Sequence, residues 1–211
     1  MPQSDVFGAQ FREVHEETFN DRPVHAVVGS RVYATDVDDL WNAMTDKERL
    51  PRWFSKVEGD FELGGKFQIE GNASGSILEC EASKKLVITW EFGGQLSWVR
   101  VTLSPEGEQT KMQLEHLIPT DDAAAEEHWK KYGPGATGVG WDLAFHGLGV
   151  HTETGEAIDP AKFFEWMATD EGKAACRGSA AAWGEAHVAG GEDRAVAEAM
   201  AEATGSFFTG G

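Results

Sequence analysis

Cysteine is scarce in this chain. The two present, Cys80 and Cys176, lie far apart in a 211-residue sequence. That spacing matches neither a metal-binding nor a redox motif. Long hydrophobic runs are missing too: no stretch approaches 18 uninterrupted apolar residues, so no membrane-spanning helix is expected. The first twelve residues, Met1 to Arg12, show no basic start followed by an apolar run, and no signal peptide is expected. The chain therefore reads as cytoplasmic. Bases are outnumbered, with 18 Lys and Arg against 36 Asp and Glu, for a formal net charge of −18. Such a balance argues against nucleic acid or an anionic membrane as the main partner. Most of the acids read as solubilising surface.

What is present suffices for a core. A folded chain of 23.0 kDa exposes roughly 9,600 Å², against roughly 33,000 Å² when extended. Stability needs neither disulfides nor oligomerisation. The first half is strand-like. Segments 10–19 and 24–33 flank the turn-forming Asn20-Asp21-Arg22-Pro23 and read as a hairpin. Thr35 or Asp36 can cap a short helix carrying Val37, Leu40, Trp41 and Met44 on one face. A second short helix, with a capping-box spacing from Thr45 to Glu48, is expected to end near Pro51-Arg52-Trp53-Phe54.

Six strands follow, over 57–61, 65–71, 74–81, 86–92, 96–104 and 109–118. Their Gly-rich and Pro-containing separators imply an antiparallel meander. Alternation gives the sheet an apolar and a wet face. Leu86, Ile88, Trp90 and Phe92 share one parity, as do Val99, Val101 and Leu103; Thr110, Met112, Leu114, His116 and Ile118 share another. The parity of segments 24–33 and 74–81 stays open. The apolar face needs a cover, and Trp141, Phe145 and Leu148 supply the stripe of a helix over 138–149. A helix over 121–131 leads in. Beyond it a helical tail opens at Asp159-Pro160, restarts at Thr169 with the stripe Cys176, Ala180, Trp183 and His187, and stops at Gly190-Gly191. It ends with a helix over 192–204 carrying Val196 and Met200.

Several fragments in this order carry a family resemblance. They are Asp39-Leu40-Trp41-Asn42-Ala43-Met44-Thr45-Asp46, Leu50-Pro51-Arg52-Trp53-Phe54, Leu63-Gly64-Gly65-Lys66-Phe67, Gly75-Ser76-Ile77-Leu78-Glu79, Lys85-Leu86-Val87-Ile88-Thr89-Trp90, Met112-Gln113-Leu114-Glu115-His116 and Gly138-Val139-Gly140-Trp141. With them the chain resembles the START-like (SRPBCC) superfamily, in its subfamily named for the activator of heat shock protein 90 ATPase. The resemblance covers about Val27 to Gly149. It implies an α+β helix-grip fold over residues 1–150, with a curved antiparallel sheet around a long helix, and a helical extension over 151–211. The extension is expected to pack on that domain or on a second copy of the chain. The resemblance also implies a cavity between sheet and helix, but not its use. Such folds include lipid and hormone carriers, aromatic polyketide cyclases and co-chaperone domains.

Parity and the resemblance together nominate Phe67, Ile69, Trp90, Val99, Val101, Met112, Leu114, His116, Trp141 and Phe145 as ligand-binding residues, with Trp53 and Phe54 near the mouth. The competing reading fills the same space with a solid core. His116 stands out as an ionisable group on the apolar face, where burial would keep it neutral. It is the one candidate acid or base, though no carboxylate partner shares its face.

Gly133-Pro134-Gly135-Ala136-Thr137-Gly138 matches a dinucleotide fingerprint in letters only, because no buried strand precedes it. His15-Glu16-Glu17 and the pair His146 and His151 lack zinc-ligand spacing. No metal or cofactor is expected. The leading reading is a non-catalytic binder of a small hydrophobic or aromatic molecule, possible as a homodimer. The alternatives are a cyclase- or dehydratase-like enzyme using His116, and a co-chaperone-like protein-interaction module.

Overall fold

A two-residue turn opens the architecture. Strands β1 (Phe11–Phe19) and β2 (Arg22–Tyr33) are joined by Asn20 and Asp21 alone, both at positive φ (50° and 60°). This left-handed pair matches the right-handed twist of the strands it connects. In the computed structural model, which describes residues 7–211, the chain next forms α1 (Val37–Thr45). Asp36 caps it by accepting from the Asp39 N–H at 2.8 Å. The capping box expected from Thr45 to Glu48 does not form. Asp46 instead accepts from the backbone N–H groups of Glu48 and Arg49, and only a single 3₁₀ turn, Leu50–Arg52, follows. The first six residues of the stretch read for a signal peptide lie outside the described residues.

The meander then runs through β3 (Val57–Gly59), β4 (Lys66–Ile69), β5 (Ser74–Glu81), β6 (Lys85–Phe92), β7 (Gln95–Glu106) and β8 (Gln109–Pro119). The eight strands form one curved antiparallel sheet in the order β1-β2-β8-β7-β6-β5-β4-β3. Helices α2 (Ala123–Tyr132) and α3 (Gly135–Thr154) follow. Helix α3 lies in the concave face. Its Phe145 packs so closely on β2 that a Cβ on Gly29 would sit 2.9 Å from the ring. The fold is the α+β helix-grip fold. Since α3 reaches Thr154, a division at position 150 falls within its last turn.

The tail comprises α4 (Pro160–Ala168), α5 (Asp170–Ala189) and α6 (Arg194–Thr209). The stripe Cys176, Ala180, Trp183 and His187 is fully buried. Helix α5 packs beside α3 and against β1, and α6 packs on α5. A Cβ at Gly138 of α3 would lie 2.3 Å from the Trp183 ring, so only glycine allows this approach. Asp142, wholly buried on α3, ties the layers together. It accepts from the Ala9 N–H (2.7 Å), Arg12 Nη2 (2.8 Å), Ser179 Oγ (2.5 Å) and Trp183 Nε1 (3.0 Å).

Two expectations fail here. Val196 is exposed rather than docked, and α6 continues through Gly205 to Thr209; its buried face is Ala197, Met200, Thr204, Gly205 and Thr209. The convex sheet face is also not uniformly wet. Val24, Ala26, Val28, Trp98 and Leu117 form a buried cluster there, with Phe19 against it. The Arg22 guanidinium lies 5.8 Å from the Trp98 ring and that of Arg100 lies 5.7 Å from Phe19. Long basic side chains thus cover an apolar patch while their charges pair with Asp121, Glu17 and Glu115.

Candidate functional site

Inward-facing strand residues and the α3 stripe do not meet everywhere, and a cavity of about 310 Å³ remains between them. The sheet supplies Phe67 and Ile69 from β4, Trp90 from β6, Val99 and Val101 from β7, and Met112 and Leu114 from β8. Helix α3 supplies Trp141 and Phe145, and Trp53 and Phe54 come from the end of the 3₁₀ turn. The structure therefore brings together eleven of the twelve nominated residues. Trp53 is fixed by its indole N–H, which donates to the Ala43 carbonyl at 2.8 Å.

The remaining residue, His116, does not line this cavity. Its ring stands behind a wall made with Trp90 and Trp141, the three ring centroids lying 5.2 to 5.9 Å apart. Both ring nitrogens are engaged. The Trp141 indole N–H donates to Nδ1 at 3.0 Å, and Nε2 lies 2.8 Å from Ser97 Oγ, whose hydroxyl donates to the Trp90 carbonyl at 3.2 Å. The chain of donors assigns the proton to Nε2 and occupies the Nδ1 lone pair that a general base would use. The buried Tyr33 hydroxyl donates to the Phe145 carbonyl and not to His116.

Burial pushes the His116 pKa down to about 4. The native state holds the ring neutral, whereas the unfolded chain takes up a proton below the usual histidine range. The stabilisation is thus complete above about pH 6.5 and disappears as the pH falls through about 4. The two limits correspond to roughly 3 kcal/mol. Urea titrations at a series of pH values should show a His116→Gln variant losing less stability between pH 7 and 4 than the parent, by about that amount. Parallel curves would refute the neutral buried ring.

Sequence reasoning left out other lining residues. Trp41 and Met44 belong to the α1 stripe, and Leu86 and Ile88 share the parity of Trp90, so the pattern contained them. Cys80 was hidden. A bulge between Ile77 and Glu79 reverses the parity of β5, placing Ile77 and Cys80 inward and opposite Ile88 and Leu86. Ala144 of α3 also faces the space. Polar atoms are few there, and the Thr45 hydroxyl is already bonded to the Trp41 carbonyl. Among the described residues no cluster of three metal-ligating side chains occurs, and no helix is long and apolar enough to cross a membrane.

Comparison with known proteins decides the family. The model described as "Activator of Hsp90 ATPase homolog 1-like protein" matches residues 34–153, more than half of the chain. The chain belongs to this family. Among solved structures, the solution structure of CalU16 from Micromonospora echinospora is similar at 30% identity and a TM-score of 0.72, over 90% of this chain and 100% of that one. Its crystal structure gives 28% identity and a TM-score of 0.63, over 83% and 96%. The NMR match extends past the end of the family model, so CalU16 shares at least part of the helical tail. DynU16, a protein in the dynemicin biosynthetic locus, is 22% identical with a TM-score of 0.52, over 63% of this chain and 48% of that one, and shares the fold. No curated protein matches the chain. The family and the fold fit ligand binding.

Proposed function

We propose that the protein binds a small hydrophobic or aromatic molecule, without transforming it, in the cavity between the sheet and α3. The observation that carries this reading is the cavity itself. About 310 Å³ is left open where inward-facing side chains could have filled a core. Its walls are aromatic and aliphatic, and they offer few hydrogen-bonding groups, so affinity comes from shape and burial. The half-exposed Trp53, Phe54 and Phe61 and the exposed Cys80 mark the side from which a ligand enters. The engagement of both His116 nitrogens supports binding rather than acid–base catalysis.

N-phenyl-1-naphthylamine, a neutral apolar fluorophore, tests the reading. Titrated into the full chain, it should brighten with one-to-one saturation and quench tryptophan fluorescence, since Trp53, Trp90 and Trp141 surround the space. An unsaturable, linear response would contradict it.

A further inference from the structure

The wall formed by Trp90, His116 and Trp141 has a second side. Behind it, between the β6–β7 hairpin, the end of β8, α2 and the first turn of α3, lies another cavity of about 400 Å³. We propose that this second cavity binds a neutral, planar aromatic molecule carrying hydroxyl or carbonyl oxygens, independently of the apolar cavity.

Three observations point to that chemistry. No Asp, Glu, Lys or Arg lines the space, so neither an anion nor a cation would find a counter-charge there. Burial lowers the pKa of both histidines on its walls, His116 and His128, so they too are uncharged at neutral pH. Second, hydrogen-bonding capacity is left over. The side chains of Gln95 and Thr137 line the cavity and make no hydrogen bond among the described residues. Each can both donate and accept. Ser97 Oγ, already bonded to His116 and the Trp90 carbonyl, retains an accepting lone pair. Helix α3 also starts beside the cavity at Pro134 without a side-chain cap, which favours an oxygen acceptor near its first turn. Third, the walls are flat and aromatic. Trp90 and Trp129 line the space, and Phe92, 57% exposed at the hairpin end, would be covered by an occupant. The apolar cavity offers less of this spare hydrogen bonding, with Thr45 and Cys80 as its polar side chains, so the two spaces select different molecules.

The test uses 1-naphthol, neutral at pH 7, added to the ¹⁵N-labelled full chain and followed by NMR. Saturable shifts are expected at the Gln95 side-chain amide and the Trp129 indole. They should persist in an Ala144→Phe variant, in which the apolar cavity is filled. They should weaken about tenfold or more in affinity in a Gln95→Leu/Thr137→Val variant. Neither of those substitutions removes an existing hydrogen bond, so the fold is retained. The proposal is overturned by any of three results: no saturable shift up to the solubility limit, loss of the shifts in Ala144→Phe, or an unchanged affinity in the double variant. Binding of N-phenyl-1-naphthylamine is read separately, so failure here and failure of the first reading are distinguishable.

Discussion

Replacing Asp142 with alanine should lower the unfolding free energy by about 3–5 kcal/mol, because the Arg12 charge and several buried donors lose their common acceptor. The side chain is fully buried on α3, and its partners come from two distant parts of the sequence. Ala9 and Arg12 belong to the N-terminal segment, and Ser179 and Trp183 belong to α5. Without the carboxylate, the Trp183 indole N–H and the Ala9 amide remain buried and unpaired. In a domain of this size the loss corresponds to a fall of roughly 6–20 °C in Tm, to be read by calorimetry at pH 7. An Arg12→Met variant, which leaves the carboxylate its Ser179, Trp183 and Ala9 donors, should fall by less. If Asp142→Ala unfolded within about 2 °C of the parent, the tail could not be held through this residue.

The second large effect concerns ligand affinity. Ala144 sits on α3 and faces the apolar cavity between Trp141 and Leu148. Ala144→Phe would place a phenyl ring in space that is now empty, rather than into packed atoms. Stability should therefore hold or rise slightly, unlike overpacking of a filled core. Affinity for N-phenyl-1-naphthylamine should fall by about tenfold or more, equivalent to about 1.4 kcal/mol. Equal affinities in parent and variant would place the fluorophore elsewhere on the protein.

Much of this architecture was legible because alternation and punctuation act locally. Asn20-Asp21 announces the hairpin, Asp36 the start of α1, and Trp141, Phe145 and Leu148 the gripping helix. The parity of β6, β7 and β8 followed directly from their side chains. What was not legible depends on tertiary context. The bulge in β5 leaves no mark in a segment whose Ile77, Leu78 and Cys80 suit either face. The convex cluster around Trp98 and Leu117 was masked by Arg100 and Glu115, whose charges made that side look solvated. Asp142 is one acid among 36 acidic residues, and nothing nearby in sequence reveals that its donors arrive from residues 9 and 183. His116 shows both sides of the matter. Its burial and neutrality followed from the strand pattern, but its place behind the tryptophan wall depended on Trp141 and Ser97, contributed by other elements.

The central claim is that the space under α3 takes an apolar molecule. Intermolecular NOEs between N-phenyl-1-naphthylamine and the methyl groups of Met112, Ile69 and Ile88, recorded on the methyl-labelled full chain, test it most directly. The account expects cross-peaks from the probe to all three methyls, each of which borders the cavity. Cross-peaks confined to exposed apolar side chains such as Leu63 or Val196, with none to these three, would contradict it.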